Sequence, residues 1–517
     1  MSRSPVLALA FAALALSCPS AWAQAGSEDP AALTILTSFP IMDLNPSGGS
    51  AHYMSKFGTG EMLMQFREDG LQHPWLLQAL GQQSENVWVL TLRPGITFQN
   101  GKPVDAAAVL AAIDWQLEHS AAARGSIPLD ARFAVTGDLE ITVTTETPFA
   151  GLPGALAHEQ VFPIFDAETV AAADGDWQAL VGAGIYTGPF IVTGLDAEGA
   201  TLERYDGYWQ GRPVLPGVTI GFVTDANARI LAVQNGEADI AFYPPIASRP
   251  VIEATPGLHF NFSTPNPNAF TMILNVAEAP FDDPAVRLAV IDAVDYGEIA
   301  EDVFGGVFEP ATGFYRPMFP WALENQHTDL GTAAALLDEA GWAAGSDGVR
   351  TKDGERLRLT LMLNPGLPDL VALGNALQAQ LIETGIEVEL VGVTDIFAAM
   401  GGDAQSWDGG ILNDATAPFG VPETFLTRYL GAEGDRNFGG YDNAELEALT
   451  QELGMTLDEV RRNEILARLQ EILIEEDPGA FILTFNRDVV ITNDAYAHYQ
   501  PGFNFYHLSW ETGPATP

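Results

Sequence analysis

Apolar and polar positions follow two rhythms along this chain, one of period two and one near 3.6, and they alternate from end to end. The stretch NVWVLTLRPGITFQNGKPVDAAAVLAAIDWQLEH shows both. Val87 to Leu92 is rich in β-branched and aromatic residues and predicts a strand. Pro94-Gly95 marks a turn, and Ile96 to Phe98 a second short strand that ends at Asn100-Gly101, where Gly101 supplies a positive φ. Asp105 then caps a helix, with Val104 and Val109 as a hydrophobic staple and Val109, Leu110, Ile113 and Leu117 on the buried face. Arg93 is expected to tie a loop.

The same logic recurs. Phe190–Thr193 and Ala200–Arg204 predict strands around an acidic turn. GVTIGF, a helix from about Asp225 to Gln234 closed by Asn235-Gly236, and the strand ADIAFY form a strand-helix-strand unit, whose expected geometry is a parallel sheet on a helix. In the second half, AFTMILNV is a strand, Pro284 opens a helix to about Ala293, and Gly341 stops the helix TAAALLDEAGW. LRLTLMLN, LVALGNALQAQLIETG and IEVELVGV read as strand, helix and strand. Thr456 with Glu459 reads as a capping box for a long helix that ends at Asp477-Pro478, before the strand AFILTF. Arg287 is expected on a helix surface or in an ion pair. The chain is therefore α/β, with two bodies of comparable size joined between about Phe260 and Asn275.

At 517 residues the chain exceeds what one hydrophobic core supports, so more than one domain is expected. Residues 1–23 stand apart: Arg3, an apolar run from Val6 to Leu16, then Ala21-Trp22-Ala23 in the small-x-small pattern of a cleaved secretory leader. Leu16-Ser17-Cys18 faintly resembles a lipoprotein box, but Pro19 and the better Ala21-x-Ala23 site favour cleavage before Gln24. Cys18 is the only cysteine in the sequence, so the mature chain has no disulfide, thiolate nucleophile or cysteine metal site to call on. The formal charge of −45, with lysine only at 56, 102 and 352, repels nucleic acid and anionic membrane. A saline or Ala/Gly/Arg-biased proteome accounts for that acidity more simply than a functional acidic patch. There is no Gly-x-Ser-x-Gly elbow, His-Glu-x-x-His or phosphate-binding Gly-x-x-x-x-Gly-Lys loop, so neither an enzyme nor a cofactor is expected.

Several blocks together resemble one family. LTLRPGITFQNGKPVDAAAV, GAGIYTGPFIVTG, YDGYWQGRPVLPGVTIGFVTDANARILAVQNGEADI, ILNVAEAPFDDPAVRLAVIDAVDYGEIAEDVFGG and LLDEAGW are similar to the signatures of bacterial extracellular solute-binding proteins of the peptide/nickel/opine class, the ligand-capturing components of ABC importers. The resemblance implies a two-lobed periplasmic binding protein fold with an extra N-terminal subdomain and a ligand cleft between the lobes. It places lobe I at 24–264 with the subdomain at about 76–180, lobe II at 265–490, and a C-terminal return to lobe I at 491–517. It further implies a monomer in the periplasm, a small-molecule or peptide ligand, and an ABC permease with separate ATPase subunits as partner.

The polar candidate ligand residues follow from the same resemblance, and the aromatic ones from the apolar walls that grip extended ligands. His52, Tyr53 and Met54 lie in a region that faces the cleft in the family, and Met54 falls at or near a methionine of nickel-binding relatives. The alternatives are a core methionine and a satisfied surface histidine. His158 stands where nickel-binding relatives supply an arginine for a chelator's carboxylate, and no arginine is present. Tyr53, Trp407, Phe419 and the cluster from Phe503 to Trp510 are candidate apolar walls, most of that cluster doubling as core strand. Asp414, in GGILNDATAPFG, matches the aspartate that pairs with the ligand's α-ammonium in peptide-binding relatives, and otherwise reads as a strand-end cap. The helix LVALGNALQAQLIETG carries no arginine for a ligand carboxylate, and Phe419-Gly420-Val421-Pro422-Glu423 departs from the family's Asp-Pro-Asp loop. The expected cargo is a peptide or small amine-bearing solute, the alternative nickel or another metal held as a chelate.

Overall fold

Two mixed sheets dominate the computed structural model, which describes residues 29–402, 406–503 and 506–515. The leader and Cys18 lie outside the described residues, as do Asn504 and Phe505 of the C-terminal aromatic cluster.

The first sheet is built on Leu33–Thr37 (LTILT), whose odd residues are buried. This strand runs parallel to Gly217–Phe222 on one side and Ile240–Phe242 on the other, with Ile35 opposite both Ile220 and Ile240. The strand-helix-strand unit is thus parallel as expected, but the N-terminal strand is inserted between its two strands. Val489–Asn493 lies antiparallel between Ile240–Phe242 and Leu258–Phe262. Phe190–Leu195 and Gly199–Arg204 complete the other edge as an antiparallel pair. Leu33, Ile35, Phe190, Val218, Ile220 and Phe242 fill the core here, each large apolar side chain stabilising the fold by about 1.5–3 kcal/mol.

The second sheet centres on Asn268–Leu274, antiparallel to Gly409–Ala415 and to Ala480–Phe485. Arg358–Leu363 and Glu387–Gly392 extend it in parallel. A four-stranded antiparallel sheet, Leu77–Ser84, Val87–Leu92, Glu140–Thr144 and Arg132–Gly137, packs with the helix Ala106–His119 beside the first sheet. Asp105 caps that helix by accepting the Ala108 N–H at 2.9 Å, and Arg93 ties its loop through the Trp75 carbonyl at 2.7 Å.

One helix start differs from the expectation. Thr456 does not open the helix Glu459–Glu471; its hydroxyl donates back to the Glu452 carbonyl and closes the preceding helix, Ala444–Met455. Asp458, a stronger acceptor, takes the Arg461 N–H at 2.9 Å and is the N-cap. Arg287 is in an ion pair, with Asp477, but is buried rather than at the helix surface.

Two short segments, 263–267 and 486–488, carry the chain between the sheets. They run side by side: Asn486 N–H donates to the Asn268 carbonyl at 2.9 Å and Ser263 N–H to the Asp488 carbonyl at 2.8 Å. The Arg316 guanidinium, 1 % exposed, fastens both by donating to the carbonyls of Asn266 and Asn486. Its charge is met by Glu309, which also pairs with Arg487.

Candidate functional site

The three parallel strands of the first sheet end on one side, and Ile246, just past the last of them, meets Asp369 of the other lobe; this is the position where α/β sheets present ligand sites. Phe39 and Tyr243 follow two of these strand ends, and the short helix Ala51–Lys56 lies against them. Phe39 stacks on Tyr53 with ring centroids 6.2 Å apart and meets Tyr243 edge-on at 5.3 Å. Tyr243 is held at φ +57°, a left-handed conformation costly for an aromatic residue. Its carbonyl accepts from the buried Arg229, which also gathers the carbonyls of Phe242, Val223 and Thr224. That cage of carbonyls holds the strained turn.

Lys56 is buried beneath this patch. Its ammonium donates to Tyr243 Oη at 3.1 Å and lies 5.3 Å from the Tyr53 ring centre. Burial lowers its pKa to about 8 against the opposing pull of Asp488 and Glu159. At the next turn of the wall His52 Nδ1 meets Glu159 at 2.5 Å. Burial alone would raise the Glu159 carboxyl, but the hydrogen bond and charge of His52 outweigh it and keep the group ionised. His158 is pushed down by burial, so it stays a neutral imidazole near neutral pH, with Nδ1 accepting the Gln160 N–H.

Phe419 arrives from the other side. It sits at φ +52°, its ring 4.2 Å from that of His158, and its carbonyl accepts from Gln72 Nε2. The loop it belongs to presses so closely on Leu152–Ala155 that a Cβ at Gly154 would fall 2.0 Å from Val421. His52, Tyr53, His158 and Phe419 are therefore brought together from three distant segments.

Asp414 is at the facing end of Gly409–Ala415, its side chain 37 % exposed. Oδ1 accepts the Ala415 N–H at 2.8 Å, and Oδ2 accepts Tyr429 Oη at 2.6 Å and lies 3.9 Å from Arg436. Burial and the Asp414 charge push the Tyr429 hydroxyl well up, so it remains a donor. Arg436 is aligned by the Phe397 ring, 3.8 Å below its guanidinium, and by donating to Tyr429 Oη at 2.8 Å.

Met54 and Trp407 do not join either group. Met54 is 2 % exposed in the core of the first lobe, and Trp407 is buried with its indole N–H on the Met400 carbonyl at 3.2 Å. Phe503 packs on Phe66 at 5.4 Å, and His507 against Phe242 at 4.6 Å. Among the described residues no cluster of three or more His, Cys, Asp or Glu is arranged to hold a metal ion. Sequence reasoning missed Arg436, which lies in an aperiodic loop, and Lys56, whose rarity in so acidic a chain was a usable signal.

Residues 72–436 match the family described as bacterial extracellular solute-binding proteins, family 5 Middle. The chain belongs to this family. Among relatives, the nickel-binding protein NikA of Staphylococcus aureus is 24 % identical over 446 residues, 86 % of this chain and 87 % of NikA. The crystal structure of NikA from Staphylococcus aureus in complex with Ni(L-His)2 shares the fold with a TM-score of 0.76 at 21 % identity, over 94 % of this chain and 100 % of that one. The oligopeptide-binding protein AppA from Bacillus subtilis, in complex with a nonapeptide, shares it with a TM-score of 0.70 at 20 % identity, over 90 % and 96 %. This solute-binding protein is thus a substrate-capturing component of an ABC importer of the nickel/peptide class, with a permease as the partner that the family implies. No described helix is long and apolar enough to cross a membrane.

The lobes of this binding protein touch away from the aromatic patch as well. Asp369, in the first turn of Pro368–Leu381, accepts the Ile246 N–H across the gap at 3.2 Å. Burial raises its carboxyl from 3.8 to about 6, the hydrogen bond opposing only in part. Burial of the carboxyl between the lobes therefore favours the protonated acid: the stabilisation is complete below pH 3.8 and is lost as pH rises through about 6. We expect spin labels on engineered cysteines, one on each lobe, to report more closed molecules at the acidic end of that window. Asp369→Asn should flatten the profile; a variant with the slope unchanged would exclude Asp369 as its source.

Proposed function

We propose that this protein captures a small amine-bearing solute, a peptide or an amino-acid-like zwitterion, by closing its lobes on it, and that it catalyses nothing. The observation that supports this reading is the Asp414–Arg436 pair. Opposite charges stand 3.9 Å apart, both partly exposed at the edge of the second sheet that faces the first. An α-ammonium beside an α-carboxylate presents the complementary pair, and each contact would be a charge-assisted hydrogen bond. Arg436 supplies the cation that the helix Pro368–Leu381 lacks. Asp414 divides its oxygens, one closing its own strand end and the other turned to Tyr429 and Arg436. The wall of Phe39, Tyr53 and Tyr243 would cover the cargo's apolar part.

Binding then shifts an open–closed equilibrium, and the closed form docks on the permease. We further infer that the chain is exported, that its leader is cut near Ala23, and that it works as a monomer.

A metal chelate is the second reading, favoured by the His52–Glu159 pair with His158 beside it. A carboxylate that fixes an imidazole's tautomer is the setting found around metal-bound histidines. Native mass spectrometry of co-purified cargo, with metal analysis, separates the two. The expected cargo reacts with an amine-specific reagent and carries no stoichiometric metal. A stoichiometric first-row metal would overturn the amine reading in favour of the chelate.

A further inference from the structure

A second cavity, of about 160 Å³, opens on the first lobe, lined wholly by residues of that lobe and of the C-terminal segment. Glu61 is set into it, 6 % exposed. Its Oε1 accepts from Trp75 Nε1 and Tyr208 Oη, both at 2.8 Å, and its Oε2 from Trp209 Nε1 at 3.2 Å. These donors are neutral, and no ion pair reaches Glu61 among the described residues. Trp75, Tyr208, Tyr506 and Trp510 contribute aromatic surface to the cavity, and Met62 and Met64 also line it. Tyr506 Oη is buried without a hydrogen-bond partner. Glu511, exposed, lies at the mouth.

This combination has a specific chemical meaning. Burial pushes the Glu61 carboxyl up and the hydrogen bonds donated to it oppose that only in part, so its negative charge is costly until a cation in the cavity meets it. Aromatic faces attract cations through their quadrupoles, most strongly where water is excluded. A cation that brings no N–H donors asks for no further acceptor and so fits best. We propose that this cavity binds a quaternary ammonium group, of trimethylammonium type, at a site separate from the cleft between the lobes. The site does not depend on the amine reading of the cleft: of the Phe503–Trp510 cluster first considered as cleft wall, Tyr506 and Trp510 line this cavity instead, and it shares none of Asp414, Arg436, Phe39, Tyr53 and Tyr243.

Choline is the probe, and 3,3-dimethylbutan-1-ol, its neutral isostere, the control, both titrated by calorimetry into the full-length mature protein. Choline is expected to bind, and the isostere to bind weaker by about tenfold or more. Glu61→Gln should lose choline binding by a similar factor. Because Glu61 anchors three donors and that variant could fail to fold, Trp510→Ala, which leaves those bonds intact, is the second variant, expected to weaken choline by about fivefold. Equal binding of choline and the isostere, no choline binding, or wild-type affinity in a folded variant would overturn the proposal. Sedimentation with phosphatidylcholine vesicles assigns the source: co-pelleting points to a lipid headgroup, and choline binding without it to a free solute. A cleft that fails its own test while choline still binds here would leave this site standing.

Discussion

Arg316→Met is expected to destabilise the fold by about 3–5 kcal/mol, the range for removing one partner from a buried, hydrogen-bonded charge. The side chain is 1 % exposed and donates to both chain segments that pass between the sheets, at Asn266 and Asn486. Methionine fills much the same volume, so the cost is not a cavity. It is the loss of donors to two buried carbonyls and of half the charge that balances Glu309. Arg487→Gln is the comparison, because Arg487 is more exposed and pairs with the same carboxylate from the edge. It should cost less than about 1 kcal/mol. Denaturant melts of the variants measure both; a loss under about 1 kcal/mol for Arg316→Met would show that the two segments do not rely on this tie.

The secondary structure was legible because its signals are local. Asp105 and Asp225 cap helices where a carboxylate precedes a 3.6-period run, and Gly341, at φ +87°, ends one. Where two acceptors competed, pattern failed: Thr456 fits the capping box, but Asp458 is the stronger acceptor and Thr456 had a nearer partner in the Glu452 carbonyl. The place of Leu33–Thr37 between two later strands was not readable, because pairing across about 200 residues leaves no local trace. The same holds for the site. His52, His158 and Phe419 have unremarkable neighbours in sequence, and the resemblance to a family, rather than periodicity, singled out the histidines. Met54 was named by that route too, and Trp407, like Phe419, as an aromatic wall; the Met54 and Trp407 side chains went to the cores. Arg436 could not be found by searching helices for a carboxylate partner, since it reaches Asp414 from a loop, placed by Phe397 and Tyr429.

The second large effect concerns Asp414. Asp414→Asn should weaken an amine-bearing cargo by about tenfold to a hundredfold, the loss expected when a hydrogen bond to a charged group becomes neutral. Stability should change by less than about 1 kcal/mol, because the carboxylate is more than a third exposed and an amide can still accept from the Ala415 N–H. Arg436→Gln should weaken cargo that bears a carboxylate next to the amine and spare cargo that lacks one. A large stability loss with binding intact would instead make Asp414 a strand-end cap and nothing more.

The most direct test is calorimetric titration of the identified cargo and of its N-acetylated form into the wild-type protein and the Asp414→Asn variant. The account predicts that acetylation costs the wild type about tenfold or more and costs the variant little, since both changes remove the same contact. Equal binding of the free and acetylated forms by the wild type would contradict it.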